Sequence, residues 1–405
     1  MNELILGIML LGPVMVLLSR WYRHSKWSLT LASAPPLAVS LLPTPGEATT
    51  LEWLFLGSQM GTDAITQWLL PASILIWTAA GLHHAASGWS GPQAVRFRLF
   101  FLLAMWGNLL LLLAQDAITF YVGYAIMGLA GYGLVSARRS TGARFAAGSY
   151  LRWTIAGELM LFAGLLSMAH DTGTTLFIPD QAASLSPWTL TLLIGAFGIK
   201  IGLPGLHAWM PGAYLKSTSA GSAVFSGAMA NAGILGLLQF LPLQGQPHAV
   251  AGGVLMAAGL FAMFYGVLLG LPQRRPKVIL AYSSISQLGT LAAMIGLAMV
   301  EPGLAPALVV AITVYAVHHG LTKAALFLSL DSMRDTRWRA AGIAVLILLS
   351  LMLAGLPYSS GAAAKLMLKE TIDDSFSWLV PVLAIAGMGT TLLMTRFVFA
   401  SAAFT

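Results

Sequence analysis

The stretch "AFGIKIGLPGLHAWMPG", residues 196–212, decides the fold class of this chain. It is mostly apolar, yet it holds a lysine, Lys200, and two prolines, Pro204 and Pro211. In a membrane-spanning helix the lysine is costly to desolvate, and each proline removes a backbone hydrogen bond. Broken backbone at membrane depth is tolerated only where it is buried in protein or lines a hydrated cavity. The stretch therefore predicts a broken helix inside a larger membrane protein.

The composition agrees with this interpretation. The chain has 405 residues, of which 58% are hydrophobic and only 9% are charged. A soluble protein carries roughly a quarter charged residues. Apolar runs long enough to cross about 30 Å of hydrocarbon recur from end to end, beginning with "MNELILGIMLLGPVMVLLSRW", which is expected to be a first spanning helix. We predict an all-α polytopic membrane protein in which residues 1–405 form one membrane domain.

Several function classes are excluded or not expected. The chain has no cysteine, which excludes disulfides, iron–sulfur clusters and cysteine-ligated zinc within it. The run "GLAGYG" lies in a predicted helix rather than after a strand, so no dinucleotide or phosphate loop is expected. We expect no cofactor, no metal and no catalytic chemistry in this chain, and any redox step would belong to a partner. The net charge of +7 is explained by the loops and does not indicate nucleic-acid binding.

Thirteen membrane spans are predicted from the apolar runs. They are residues 3–19, 28–43, 65–86, 97–115, 117–136, 146–169, 187–211, 218–242, 249–271, 279–299, 304–329, 341–372 and 377–402. The loops after odd-numbered spans carry the basic residues Arg20, Arg23, Lys26, Arg96, Arg98, Arg138, Arg139, Arg144, Lys216, Arg274, Arg275, Lys277, Arg334, Arg337 and Arg339. The even-numbered loops carry the acids Glu47, Glu52, Asp63, Asp116, Asp171, Asp180, Glu301, Asp373 and Asp374. The positive-inside rule then predicts an N-terminus outside and a cytoplasmic C-terminus, in a bacterial inner membrane.

Spans 7 and 12 share an unusual pattern. Lys200 precedes "GLPG" in span 7, and Lys365 follows "GLPYSSG" in span 12, so both spans should break near mid-membrane. The two spans are five apart and cross in opposite directions, which is typical of inverted-repeat transporters. We predict N-terminal helices and an outer hairpin (near 44–64) in residues 1–96, a first repeat in 97–242 and a second in 249–402. The alternative is that the prolines are packing kinks and the lysines pair structurally.

Once the loop charges are set aside, six basic residues remain within the predicted spans, and one acid, Glu158, lies mid-span. The basic residues are Arg152, Lys200, Lys323, Lys365, Lys369 and Arg396. Each costs about 2.5–3.5 kcal/mol on insertion scales, so such residues usually line a polar path, pair with one another or reach the interface. Arg152 and Lys369 lie near span ends and are expected to reach the interface, and Arg396 is ambiguous. Glu158, Lys200 and Lys365 are too deep for that.

Span 11 contains the segment "VYAVHHGLTKAALFL". His319 and Lys323 are four residues apart and therefore stack on one helix face. Because histidine titrates near neutral pH and burial favours neutral lysine, the pair could pass a proton without a large energy step. His318 points about 100° away and is expected to pack or to form a hydrogen bond. Adjacent histidines do not share a face, so no metal site is expected here, and His83 and His84 at the end of span 3 are assigned no role.

Four motifs resemble the antiporter-like membrane subunits of respiratory complex I, a family that includes large Mrp cation/proton antiporter subunits and membrane subunits of energy-converting hydrogenases. The motifs are "FGIKIGLPGLHAWMPGAY", "VILAYSSISQLG", "HHGLTKAALFL" and "AGLPYSSGAAAK", and the similarity covers roughly residues 60–400. The resemblance implies a polar axis along the membrane midplane through which protons move. It assigns Lys200, His319, Lys323 and Lys365 to that axis, and we add His207 of the first motif as a candidate.

The sequence also departs from the family pattern. Members usually carry a glutamate on span 5 in a "WEL"-like motif, but Ala125 occupies that position in "GYAIMGLAGYG". The usual span 8 lysine or histidine is replaced by the region of Ser226 and Asn231. One family branch carries an acid on span 6, where Glu158 falls. Either Glu158 replaces the missing acid as the partner of Lys200, or the N-terminal half does not conduct.

Two functions of different classes remain open. The first is a proton- or Na⁺-translocating subunit of a multi-subunit membrane complex, coupled to a quinone or hydrogenase redox module, to Mrp-type subunits, or to a soluble module for inorganic carbon uptake. The second is a structural membrane scaffold that has lost conduction. Ala125 favours the scaffold, whereas the retained buried ionisable residues favour the ion-translocating subunit.

Overall fold

The computed structural model describes residues 3–42, 48–55, 57–177, 185–332 and 339–403, and it is nearly all helical. The helices are α1 (Glu3–Leu18), α2 (Ser28–Ser40), α3 (Thr66–Ala86), α4 (Pro92–Leu113), α5 (Ala117–Ser136), α6 (Thr141–Thr172), α7 (Pro187–Ile201), α8 (Met210–Lys216), α9 (Ser219–Val224), α10 (Ala230–Phe240), α11 (Ala249–Gly270), α12 (Pro276–Val300), α13 (Ala305–Ser332), α14 (Arg339–Ala354), α15 (Ser360–Glu370) and α16 (Leu379–Ala403). Two short strands, β1 (Thr49–Leu51) and β2 (Ser58–Met60), lie between α2 and α3.

Nine helical segments in the described ranges are long and apolar enough to cross a membrane. They are α3, α4, α5, α6, the α9–α10 segment, α11, α12, α13 and α16. The remaining predicted spans correspond to the shorter helices α1 and α2 and to two broken pairs, α7–α8 and α14–α15. The chain is a multi-pass, all-α membrane protein, and the count of thirteen crossings stays a prediction.

Both predicted helix breaks are confirmed. Helix α7 ends at Ile201, and Gly202 follows with φ of +76°, a left-handed conformation that glycine adopts without steric cost. Helix α14 ends at Ala354, and Gly355 follows with φ of +101°. In each pair the chain then resumes a helix after a short non-helical turn, so the proline and glycine residues act as expected.

Close packing through glycine joins two helix pairs. A Cβ atom on Gly123 of α5 would lie 2.6 Å from the backbone nitrogen of Leu111 on α4. A Cβ on Gly259 of α11 would lie 2.6 Å from the carbonyl oxygen of Gly289 on α12. Small residues allow such close backbone approach in membrane bundles, where lipid supplies no hydrophobic drive between helices. The two pairs are spans 4–5 and 9–10 of the predicted repeats, whose boundaries stay predictions.

A hairpin is present where one was predicted, as β1 and β2, which pair antiparallel with Thr49 opposite Met60, and its outer location stays a prediction. The hairpin packs on the end of α4, because Gly61 donates a backbone hydrogen bond to Leu113. Four of the loop charges used for the orientation lie outside the described residues: Glu47, Asp180, Arg334 and Arg337.

Helix α12 and the α9–α10 segment form the interior of the bundle, because nearly all of their residues are buried. A turn of π-helix, Phe225–Met229, joins α9 to α10. These interior helices contact the first broken pair, because α10 packs on α7, which carries Lys200, and α12 packs on α8.

Candidate functional site

Lys200 lies in the last turn of α7, directly before the first break, and is only 7% exposed. Its Nζ atom lies 4.4 Å from the centroid of the Tyr124 ring on α5, a cation–π contact. Its aliphatic stem packs on α10, since a Cβ on Gly233 would lie 3.2 Å from the Lys200 Cβ. The lysine is thus enclosed among α5, α7 and α10. Its burial agrees with the prediction that it lies too deep to reach the interface.

Glu158 lies near the middle of α6, is 7% exposed and interacts electrostatically with Lys200. Its carboxylate fills the space beside Gly128 of α5, where a Cβ would collide with Oε1. Oε1 is buried and accepts no hydrogen bond from any described residue. The structure therefore brings Glu158 and Lys200 into one buried site. Oε1 of Glu158 is a hydrogen-bond acceptor in that site without a partner among the described residues. Ala125 on α5, which adds no acid to this site, is half-buried.

His207 lies in the turn after the first break and is half-buried. Its Nε2 is 3.3 Å from the hydroxyl of Tyr265 on α11, and its ring lies 6.3 Å from that of Tyr282 on α12. Nδ1 is buried without a partner among the described residues. His207 thus faces the helices of the predicted second repeat.

The centre of the bundle has neutral polar contacts at Ser226 and Asn231. Ser226, in the π-helical turn, lies 3.0 Å from the hydroxyl of Ser284 on α12. Asn231 on α10 donates to the carbonyl of Ala316 on α13 at 3.1 Å. These contacts connect α10, α12 and α13 but add no titratable group between Lys200 and α13.

His319 and Lys323 on α13 are fully buried. Lys323 donates to the carbonyl of Leu280 on α12 at 2.8 Å. His319 interacts electrostatically with Lys323, and neither of its ring nitrogens has a hydrogen-bond partner in the described structure. The pair lies on the face of α13 that also carries Ala316, whose carbonyl contacts α10, so this face meets α10 as well as α12.

Lys365 lies on α15, just past the second break, and is half-buried. Its Nζ donates to the carbonyls of Leu353 at 3.1 Å and Ala354 at 2.7 Å. These carbonyls end α14 and have no intrahelical partner, so the lysine caps the broken helix and complements its dipole. The lysines beside the two helix breaks differ in position: Lys200 precedes the first break, and Lys365 follows the second.

His318 is the residue that sequence reasoning undervalued. The expectation of a hydrogen bond is confirmed, because Nδ1 lies 2.9 Å from the hydroxyl of Ser360 at the start of α15. The imidazole also interacts electrostatically with Lys365, which was not foreseen. The available signal was a second histidine within an apolar span, where every polar side chain needs a partner.

The side chains of Arg152, Arg396 and His83 lie at the surface or form contacts between helices. Arg152 is exposed, as expected for a side chain that reaches the interface. The ambiguity of Arg396 is resolved, because its Nε donates to the carbonyls of Leu271 and Gln273 and so joins α16 to the end of α11. His83 lies 3.5 Å from the carboxylate of Asp331 on α13, a contact that the sequence did not predict. Over the ranges that the structure describes, no group of three or more potential ligands could hold a metal ion.

Comparisons with known proteins agree on one family. A family model described as NADH:quinone oxidoreductase/Mrp antiporter, TM matches residues 114–394. Antiporter subunit mnhA2 of Staphylococcus aureus is 29% identical over 341 residues, which cover 75% of this chain and 42% of that subunit. NADH-ubiquinone oxidoreductase chain 4 of Gadus morhua is 27% identical over 417 residues, which cover 94% of this chain and 86% of that protein.

The fold has a close counterpart among solved structures. A chain of the Mrp complex from Dietzia sp. superposes with a TM-score of 0.84 at 22% identity, covering 97% of this chain and 78% of that chain. This likeness establishes the fold. The chain itself spans less than half the length of the mnhA2 subunit that it matches.

Proposed function

Since the chain belongs to the NADH:quinone oxidoreductase/Mrp antiporter transmembrane family, we propose that it is an ion-translocating, antiporter-like subunit of a larger membrane complex. The observation that carries the proposal is the pair of broken helices, each with a lysine at the break. The buried pair His319 and Lys323 supports it further, because α13, which carries them, contacts α10 and α15. Ionisable groups at membrane depth are costly and mark ion pathways in membrane proteins.

The chemistry of these groups favours protons over Na⁺ as the transported ion. A protonated lysine offers three donors and no acceptor, so Lys200, Lys323 and Lys365 repel a cation rather than bind it. A neutral lysine or histidine accepts a proton. Glu158 supplies the carboxylate of the first site, where a bridging water would connect its open oxygen to Lys200.

In this proposal Glu158 acts as the switch for Lys200. A nearby carboxylate favours the protonated lysine, while burial opposes it. Protonating or moving the carboxylate would therefore let Lys200 release its proton. The family's span 5 glutamate is expected to do this in relatives, and Ala125 has no group that could.

The proposed setting is a bacterial inner membrane, with the N-terminus outside and the C-terminus cytoplasmic. Other membrane subunits are the proposed partners, together with a soluble module that supplies the driving reaction. The relatives bear names of subunits, namely an antiporter subunit and a chain of an NADH-ubiquinone oxidoreductase, which supports a multi-subunit assembly.

Two observations favour a second candidate, a non-conducting scaffold. Ala125 replaces the usual acid, and Asn231 is committed to a backbone hydrogen bond rather than to proton exchange. A scaffold of this kind would keep the fold and the packing of the interior helices, and it would pass no ions.

Reconstitution of the intact complex separates the two candidates. The complex is purified with its partner subunits, placed in vesicles, and assayed for proton and Na⁺ movement with ion-sensitive dyes. The ion-translocating proposal expects proton movement that is abolished when Lys200, Lys323 and Lys365 are all replaced by alanine in an assembled complex. Equal ion movement in wild-type and triple-variant vesicles would support the scaffold.

A further inference from the structure

Helix α13 presents its two adjacent histidines to different neighbours, because successive residues point about 100° apart. His319 lies on the face shared with Lys323, whose amine contacts α12. His318 lies on the other face, where its Nδ1 contacts Ser360 of α15. The His319–Lys323 pair therefore lies on the face of α13 that contacts α10 and α12, and His318 faces the second break.

His319 therefore lies on a face of α13 other than the one that contacts α15, the helix that carries Lys365. Each neighbouring pair in the order Lys323, His319, His318 and Lys365 interacts electrostatically. His318 is the member that belongs both to α13 and to the contacts of α15. It is only 4% exposed, so its imidazole has no direct exchange with bulk solvent.

The free nitrogen of His318 has room to exchange a proton. Nε2 is buried and has no hydrogen-bond partner among the described residues. It faces Gly361, where a Cβ would lie 2.9 Å away, so glycine leaves the nitrogen accessible from α15. A cavity of about 530 Å³ adjoins the imidazole and is lined by Thr322, Ser360 and apolar residues.

We propose that His318 carries protons between the His319–Lys323 pair and Lys365, taking them up and releasing them at Nε2. This inference rests on the proposed function. In the neutral tautomer with hydrogen on Nδ1, that N–H donates to the Ser360 hydroxyl and Nε2 has a free lone pair. A proton leaves protonated Lys323 by way of His319, binds His318 Nε2, and then moves to the neutral amine of Lys365, so that His318 returns to its neutral form.

The surroundings of His318 suit this role. The titratable groups near it are Lys365 on α15 and, on its own helix, His319 and Tyr315, whose ring lies 6.4 Å away. Helices α3 and α14 contribute only apolar side chains to the cavity: Trp68, Leu75, Leu349 and Met352. No carboxylate is found among these neighbours, so a proton on the imidazole is not held there by an ion pair.

The test uses the reconstituted complex and the substitution His318→Gln. Glutamine keeps an amide donor for Ser360 but does not titrate, so the proposal expects proton flux to fall by about 100-fold, the lower end of what positioned proton transfer contributes. The matched control is His24→Gln, an exposed histidine in the first loop, which should keep wild-type flux. An assembled His318→Gln complex with wild-type flux overturns the inference.

Chemical rescue distinguishes proton transfer from a purely structural role. His318→Ala enlarges the adjoining cavity, and added imidazole should restore part of the flux, whereas pyrazole, a much weaker base of similar size, should not. If added imidazole and added pyrazole have the same effect on proton flux, the inference is overturned. If neither His318 variant assembles, Ser360→Ala is used instead, because it removes the hydroxyl that contacts His318 Nδ1. The inference then expects a shift in the pH dependence of proton flux. An unshifted profile overturns it.

The outcomes also separate this inference from the proposed function. Flux that is absent from the wild-type complex contradicts the proposed function. Flux that depends on Lys200 but is unaffected by His318→Gln contradicts only the role of His318.

Discussion

Lys365 is expected to hold the second helix break together as well as to exchange protons, and substitution separates the two roles. Its amine donates to the carbonyls of Leu353 and Ala354, at 3.1 and 2.7 Å. Lys365→Met removes both hydrogen bonds and the charge. Lys365→Arg keeps donors and charge, but its guanidinium does not release a proton near neutral pH.

The size of the effect follows from the two bonds. A hydrogen bond from a charged group contributes about 1.5–3 kcal/mol. Because Lys365 is only half-buried, the lower value applies, and the pair contributes about 3 kcal/mol to the local stability of the break. Since each 1.4 kcal/mol is a factor of ten, Lys365→Met should open this region roughly 100-fold more often.

Hydrogen–deuterium exchange measured by mass spectrometry on peptides covering residues 349–362 reports this opening. Lys365→Met should exchange about 100-fold faster than wild type there, while Lys365→Arg should keep near-wild-type protection and still lose proton flux. The matched control is Lys369→Met, one turn further along α15, which should leave exchange unchanged. Unchanged protection in Lys365→Met would refute the capping role, and full flux in Lys365→Arg would refute proton exchange.

Three further predictions concern the rest of the axis, each measured as proton flux in reconstituted vesicles. Lys323→Arg should abolish coupled flux although it keeps the positive charge, because a guanidinium does not exchange its proton near neutral pH. Glu158→Gln and Lys200→Ala should each impair flux, and the double variant should lose much less than the sum of the single losses, as expected for residues that act as a unit. Gly128→Ala should resemble Glu158→Gln, because its Cβ would displace the Glu158 carboxylate.

Each of these predictions has a contrary result. A fully active Lys323→Arg complex would mean that only positive charge is needed at that position. Additive losses for Glu158 and Lys200 would assign them to separate steps. Normal flux in Gly128→Ala would mean that the position of the carboxylate is unimportant, and co-purification of the partner subunits serves as the control for assembly throughout.

The breaks in spans 7 and 12 could be predicted from the sequence because proline and glycine act locally. Pro204 removes a hydrogen bond, and Gly202 and Gly355 adopt positive φ angles where they stand in the chain. The burial of Lys200 also followed from its distance to the predicted span ends.

The remaining features of the site depend on contacts between different helices. The capping of α14 by Lys365 joins residues eleven and twelve positions apart across a turn, and its geometry depends on how that turn folds. The space for Glu158 depends on Gly128 of the neighbouring helix. His318 was assigned only a packing or hydrogen-bonding role because periodicity gives the direction of a side chain relative to its own helix, and not the identity of the helix that it meets.

Proton transport through this chain is expected to require the buried amine of Lys200. Proton flux is measured in vesicles that contain the intact complex with wild-type chain, with Lys200→Ala, or with Lys216→Ala, a matched substitution at the end of α8. We expect Lys200→Ala to reduce flux to the level of empty vesicles, while Lys216→Ala keeps wild-type flux. Wild-type flux in an assembled Lys200→Ala complex would contradict this expectation.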